Sequence, residues 1–349
     1  MICNEADINC TTLTDIFRKK NIIDCDDSIT DMQKAYHCSE GSLAFTLSLK
    51  YLKKQNNAPA SVFVKLDKTR GGEHYKKLTR NELAFYKLSQ GCDFGSFIPK
   101  YIDGWYNDDF SYLILEDLSS AYISQDYASD YEYFQMAVKK LAKFHSYCWK
   151  LGIYKTPVPA FTPVSGLADL DLIVENHEKM LLLLNGTLDE RLKSTLNDAL
   201  SFLKSNVKQI NQTLQTRRFT VIHGDFHLKN CMFLAENPHN DLKIIDWQWW
   251  NLGIGTYDVA HLLNLYLPVE LKFAELNIFK LYFERLCECS FADYSWDEAL
   301  NDYRIFTMLN LFKPDLYAIN CRLRRQKDFW TSFINNIAIS YNNINSRIL

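Results

Sequence analysis

The sequence lacks any apolar run approaching the roughly 18 residues that a membrane-spanning helix needs, so no membrane span is expected. Its first residues, MICNEADINCTTLTD, have neither a basic start nor an apolar stretch behind one, and so do not read as a secretory signal. An excess of one charge is missing too. The 39 Lys and Arg against 42 Asp and Glu give a net charge of −3, which leaves no electrostatic case for a nucleic-acid partner. The basic cluster Arg322-Leu323-Arg324-Arg325 is too short to change that and reads as a solvated helix face. Ten cysteines are present but dispersed, and the closest pair, Cys287 and Cys289, has no second pair at zinc spacing. Reduced thiols in a cytoplasmic protein are the expectation. Internal repeats and low-complexity segments are also missing.

What remains is a chain of 349 residues, 47% hydrophobic and 23% charged, which can bury a large core and divides naturally into two lobes or domains. Its 20 Tyr, 22 Phe and 7 Trp suit a helical core and an aromatic-lined pocket. Periodicity places a short helix over Leu13–Lys20, then strands over Gly41–Leu52 and Ser61–Leu66 joined by the turn Asn56-Asn57-Ala58-Pro59. A helix over Glu73–Gln90 follows, then strands over Phe97–Trp105 and Phe110–Leu115. Beyond Tyr131 the pattern is mainly helical: Tyr131–Lys150, 171–184, 187–214, a helix opened by Thr256, and 270–288, 296–312 and 326–343.

One block interrupts those helices. Residues 219–250, FTVIHGDFHLKNCMFLAENPHNDLKIIDWQWW, read as strand, loop, strand, turn, strand. The pattern delivers Asp225, Asn230 and Asp246 to the mouths of neighbouring short strands. Phosphoryl transfer needs this set: a carboxylate to orient a hydroxyl and take its proton, and an amide oxygen and second carboxylate to hold Mg²⁺ against nucleotide phosphates. Upstream, Lys65 lies in the apolar strand Val62–Leu66. Leu78 and Phe85 bracket Glu82 at i−4 and i+3, placing it on the inward face of its helix. A buried carboxylate needs a cation, and Lys65 is the natural one.

The spacing Asp-x4-Asn, followed by an Asp that ends an apolar strand, is that of a kinase catalytic loop and its metal-binding Asp. The His-Gly-Asp opening and Asp-Trp ending differ from the His-Arg-Asp and Asp-Phe-Gly of protein kinases. They resemble the aminoglycoside phosphotransferase and choline kinase superfamily, including its ecdysteroid-kinase-like branch. The resemblance spans residues 36–310, approximately, and rests on the ordered set Lys65, Glu82, Asp225, Asn230 and Asp246.

That resemblance implies an α+β, protein kinase-like, two-lobed fold. A small β-rich lobe, 1–117, would be followed by a larger, mainly helical lobe, 118–349. It implies ATP with Mg²⁺ and a small-molecule hydroxyl as acceptor, with no nucleic acid and no membrane involved. Lys65, held by Glu82, would grip phosphates, with Asn230 and Asp246 holding the metal and Asp225 orienting the acceptor. His227, two residues after Asp225, would either neutralise the transferred phosphoryl group or simply pack in the loop. Ser39, Gly41 and Ser42 would let backbone amides approach phosphate, or else form a plain hairpin turn. Glu116–Leu118 would be the hinge whose backbone meets adenine. His145 is read as a core histidine, His223 as a residue that holds the loop, and Asp258 in Asp258-Val259-Ala260 as a structural tie to it. Two rivals stand beside this reading. One is a nucleotide-binding pseudokinase acting by interaction, favoured only by the single-glycine phosphate loop. The other is a protein kinase, opposed by the missing Ala-Pro-Glu and the short gap between Asp246 and Asp258.

Overall fold

The computed structural model describes residues 2, 4–37, 42–53, 58–67, 73–108, 110–124, 130–153, 170–289, 293–313 and 327–345. The strands are β1 (Ile29–His37), β2 (Ser42–Tyr51), β3 (Ser61–Asp67), β4 (Tyr101–Tyr106), β5 (Ser111–Glu116), β6 (Tyr122–Ser124), β7 (Thr220–Ile222), β8 (Cys231–Leu234), β9 (Leu242–Ile244) and β10 (Asn251–Gly253). The helices are α1 (Cys10–Lys19), α2 (Glu73–Ser89), α3 (Tyr131–Leu151), α4 (Leu170–Leu183), α5 (Glu190–Gln215), α6 (Thr256–His261), α7 (Glu275–Glu288), α8 (Trp296–Asn310) and α9 (Lys327–Asn345). The chain divides into two compact units. The first takes residues 1–125 and 230–250, the second 126–229 and 251–349.

The first unit is built on an antiparallel sheet in the order β1-β2-β3-β5-β4. Alternation along the strands decides its two faces. Val62 and Val64 of β3 join Phe45, Leu47 and Ile114 in a core that also holds Leu13 and Phe17 of α1. Those two α1 residues are one turn apart, so a single helix stripe meets the sheet. Asn9 caps that helix by accepting from Thr12 N–H at 3.0 Å. Lys65 has the opposite parity to Val64 and meets α2, which packs against β3, β4 and β5.

A smaller sheet, β6-β8-β9, belongs to the same unit. The Ile244 N–H donates to the Phe97 carbonyl at 2.7 Å, and the Lys243 ammonium to the carbonyls of Gly95 and Ile98. The turn after β9 is then clamped to α2. Phe85 stacks on Trp247 at 3.9 Å and 9°, Trp250 Nε1 donates to Asn81 O, and Asn81 Nδ2 donates to Gln248 O. Both Trp247 and Trp250 are buried, whereas Trp249 is exposed.

In the second unit α3 packs on α7, and the stripe Phe134, Val138, Leu141, His145 and Cys148 is buried as its spacing predicts. The short strands β7 and β10 pair antiparallel, and Gly253 leaves no room for a Cβ, because the Ile222 side chain would lie 2.7 Å from it. Helix α6 packs on α8 and runs on into one π-helical turn, Leu262–Tyr266. The backbone carbonyls of Leu263 and Asn264 accept from the buried Lys272 ammonium, at 2.6 and 3.0 Å, which satisfies the widened turn.

Candidate active site

Antiparallel pairing explains how Asn230 and Asp246 meet. Cys231 pairs with Ile244, and the Ile245 N–H donates to the Asn230 carbonyl at 2.9 Å. Asn230 is thereby pinned beside the residue that precedes Asp246. The Asp246 backbone is left-handed, with φ 63° and ψ 61°, a conformation that L-residues other than Asn and Asp rarely adopt. The chain thus leaves β9 at an abrupt turn that a β-branched residue would resist.

The Lys65 ammonium bridges two carboxylates, donating to Glu82 Oε2 at 2.6 Å and Asp246 Oδ1 at 2.9 Å. Lys65 and Glu82 are both buried. Burial works against the ammonium, but Asp246 and Glu82 more than offset it, and the Lys65 pKa is pushed up. Glu82 is also pushed up, by burial first and by the nearby Asp246 charge, with Lys65 acting against both. Lys65 stays charged and ties the β3 strand, the α2 helix and the end of β9 together.

These residues lie on a cavity of about 440 Å³, within the range of small-molecule sites. Lys65, Glu82, Asn230 and Asp246 line one part of it, with Ala44, Phe63, Leu115 and Met232 as apolar wall. Ser42, Glu116 and Leu118 line it as well. The Leu118 carbonyl already accepts from the Ala121 and Tyr122 amides, and the Glu116 amide donates to the Lys100 carbonyl. The remaining phosphate-loop candidates, Ser39 and Gly41, lie outside the described residues. An amide oxygen and a carboxylate lining one cavity are the hard donors that a small divalent cation accepts, so Asn230 and Asp246 fit magnesium.

Asp225 and His227 fall in the second unit. The loop that carries Asp225 is held from below by Asp258, buried in α6. Its Oδ2 accepts from His223 N–H at 2.6 Å and its Oδ1 from Gly224 N–H at 2.9 Å. Gly224 has φ 84°, which favours glycine there. Burial opposes the Asp258 charge, but His145, 3.3 Å away, together with the His223 amide holds its pKa below the usual range. His145 is a core residue whose Nδ1 contacts Tyr282 OH at 2.9 Å, and His223 Nδ1 accepts from Asp225 N–H at 3.3 Å.

The Asp225 carboxylate meets two imidazoles. His261 Nε2 lies 3.0 Å from Oδ1, and His227 Nε2 lies 3.7 Å from Oδ2. Burial would raise the Asp225 pKa, but the two rings hold it well below the usual range, so it is an ionised acceptor at neutral pH. Behind His261, Lys313 Nζ lies 2.6 Å from Nδ1. Sequence reasoning missed both His261 and Lys313. A signal did exist for the first: His261 stands three residues after Asp258, on the same helical face.

No curated protein sequence matches the chain. Solved structures similar to it include the microcompartment-associated aminopropanol kinase, at 10% identity and TM-score 0.57 over 96% of this chain and 97% of that one. The GDP complex of a mutant aminoglycoside 2'-phosphotransferase aligns at 15% identity and TM-score 0.56, over 97% and 98%. The Plasmodium vivax ethanolamine kinase aligns at 12% identity and TM-score 0.51, over 99% and 90%. At these identities the likeness establishes the fold, an α+β, protein kinase-like, two-lobed architecture. The ecdysteroid kinase-like family model matches residues 42–291, most of the chain and all five residues of the ordered set, so this protein belongs to the ecdysteroid kinase-like family.

Proposed function

We propose that this protein is an ATP- and magnesium-dependent phosphotransferase that phosphorylates a hydroxyl group of a small molecule. The observation that carries the reading is the buried Lys65–Glu82–Asp246 cluster, set beside Asn230 on one small-molecule-sized cavity. Glu82 fixes the Lys65 ammonium, whose charge attracts nucleotide phosphates. Asn230 and Asp246 would hold magnesium, which when bound neutralises charge on the transferring phosphoryl group. Glu116 and Leu118 present backbone to the nucleobase, and Ser42, with Ser39 and Gly41, covers the phosphates. Asp225, ionised and four intervening residues from Asn230, orients the acceptor hydroxyl and takes its proton. His227 supplies a donor toward the transferred group. Among the described residues Cys10, Cys25 and Cys92 carry thiols outside any disulfide, which accords with a cytoplasmic setting. No described helix is long and apolar enough to cross a membrane.

Thermal unfolding tests the nucleotide half of this reading. A ligand that binds only the folded state raises the melting temperature. ATP with Mg²⁺ is expected to raise it, ATP with EDTA to raise it less, and GTP in parallel reports the base preference. No shift at millimolar nucleotide would overturn the reading. A panel of alcohols scored for ATP consumption then tests the acceptor half.

A further inference from the structure

The Asp225 cluster contains two groups for which the reaction above has no use, His261 and Lys313. His261 is buried and Lys313 half-buried, where a charge is costly, and they form a line: Lys313 Nζ to His261 Nδ1 at 2.6 Å, then His261 Nε2 to Asp225 Oδ1 at 3.0 Å. Proton inventory fixes the direction of that line. An ionised carboxylate only accepts, so His261 must carry its proton on Nε2 and donate it to Asp225. A neutral ring has one proton, so Nδ1 must accept, and Lys313 must donate. The two neighbours of His261 therefore demand the same tautomer.

The surroundings support this. Burial, then the Lys313 charge, lowers the His261 pKa to about 4, with Asp225 opposing them, so the ring is neutral at physiological pH. Burial also lowers Lys313 to about 7, against the pull of Asp225 and Asp258. The Lys313 ammonium lies 4.2 Å from the Tyr257 ring centroid, and Tyr257 and Tyr266 flank His261 with centroids at 6.4 and 5.6 Å. The imidazole thus packs near two aromatic rings, and the lysine end is seated on one of them.

We propose that Lys313 and His261 are positioning residues: Lys313 locks the His261 tautomer, and His261 in turn pins Oδ1 of Asp225, so that Oδ2, on the His227 side, is the oxygen presented to the acceptor proton. The proposal rests on the reading of Asp225 as the acceptor base. Without the pin, the carboxylate would rotate between its two oxygens and lose a donor that keeps it ionised. The lock makes the orientation of the base a property of residues far along the chain. His261 lies 36 residues after Asp225, and Lys313 a further 52.

Nuclear magnetic resonance on the full chain, labelled with ¹⁵N-histidine and ¹³Cγ-aspartate, tests this without any acceptor. The Asp225 signal is assigned by its loss in Asp225→Asn. Wild-type His261 is expected as the Nε2–H tautomer at neutral pH. In Lys313→Met the tautomers should mix, and the Asp225 titration midpoint should move upward. His261→Leu should move that midpoint further, and His261→Gln, which keeps an N–H donor, should restore most of it. Should His261→Leu fail to fold, Lys313→Met and His261→Gln still decide the matter. A wild-type Nδ1–H tautomer, or an Asp225 midpoint that ignores Lys313→Met, would overturn the proposal. The base reading is tested separately, by ATP consumption of Asp225→Asn with alcohols. Full turnover there sinks that reading, whatever tautomer His261 adopts.

Discussion

Two lysines, one buried and one half-buried, sit beside chemistry in this molecule, and desolvation has opposite outcomes for them. In the first unit Lys65 touches two carboxylates, at 2.6 and 2.9 Å, and its pKa rises despite burial. In the second unit Lys313 touches an imidazole at 2.6 Å and has carboxylates only at longer range, and its pKa falls to about 7. Desolvation acts on both. What differs is whether a full negative charge sits within hydrogen-bond reach to offset it. The first lysine is fixed as a permanent cation, suited to gripping phosphate. The second is an adjustable donor, suited to orienting another group.

The largest effect that would sharpen this contrast comes from the group that the second lysine serves through His261. Asp225→Asn keeps the shape of the side chain and removes the carboxylate proposed as acceptor for the hydroxyl proton. With an alcohol substrate it should cut turnover on the order of 10² to 10⁴-fold. The nucleotide-induced rise in melting temperature should survive, because the Lys65 cluster is untouched. An unchanged kcat in this variant would refute the assignment of Asp225.

Lys65→Met comes next and is read in stability as well as in nucleotide binding. It leaves Glu82, 2% exposed, without the cation that compensates its burial. Breaking a buried pair from one side costs about 3–5 kcal/mol. The sign of its pH dependence follows from Glu82. With no cation, the folded state holds the Glu82 proton more tightly than the unfolded chain does, so the variant should regain stability as pH falls and Glu82 protonates. Denaturant unfolding at pH 8 and pH 5 measures this, and a loss that does not shrink at the lower pH would contradict it.

His261 gives a third, smaller effect. Its pKa is about 4 when folded against 6.5 as a free group, so between those values the unfolded chain binds the extra proton. Stability is therefore expected to fall as pH drops from 6.5 toward 4. Two and a half units at 1.36 kcal/mol each make the full loss about 3 kcal/mol. His261→Gln should flatten that segment of the stability–pH curve, while leaving the steeper carboxylate-driven loss at lower pH.

How much of this was legible in the sequence follows the range of the interactions. Lys65, Glu82, Asn230 and Asp246 were readable because each sits in a local pattern, an apolar strand or a helix face, that states where it points. Their meeting around one cavity agrees with those patterns. A tie from Asp258 to the catalytic loop was implied by the resemblance of Asp258-Val259-Ala260 to the family pattern, and it runs to the His223 and Gly224 amides. Strand β1 was missed because, at ITDMQKAYH, only Ile29 is fully buried and the rest reads as polar surface. Strands β6 and β10 are three residues long, below what alternation can signal, and are made by their partners. The π-helical turn depends on Lys272, whose role appears only once the chain has folded back on itself. The same holds for His261 and Lys313. No local pattern announces a hydrogen bond whose partner is 52 residues away.

Lys313→Met carries an expected change no larger than that of His261 and opposite in sign, and it strains the comparison most. If burial of this lysine is a net cost, removing it should not resemble removing Lys65. Below pH 7 the folded state carries the ammonium at a penalty that the unfolded chain, at 10.5, does not bear. Methionine of similar length removes the penalty but also the hydrogen bond to His261 Nδ1 and the contact with the Tyr257 ring, each worth about 1 kcal/mol. The balance favours the variant: three and a half units at 1.36 kcal/mol each make the penalty about 5 kcal/mol, so at pH 6 the variant should be more stable than wild type by at most about 3 kcal/mol, as for other charges replaced by apolar groups. The gain should shrink as pH rises from 7 toward 10.5, where the wild-type penalty disappears. Denaturant midpoints of the two proteins across that range make the measurement. A loss as large as that of Lys65→Met would mean that Lys313 too is held by a full negative charge, and the contrast between the two lysines would collapse.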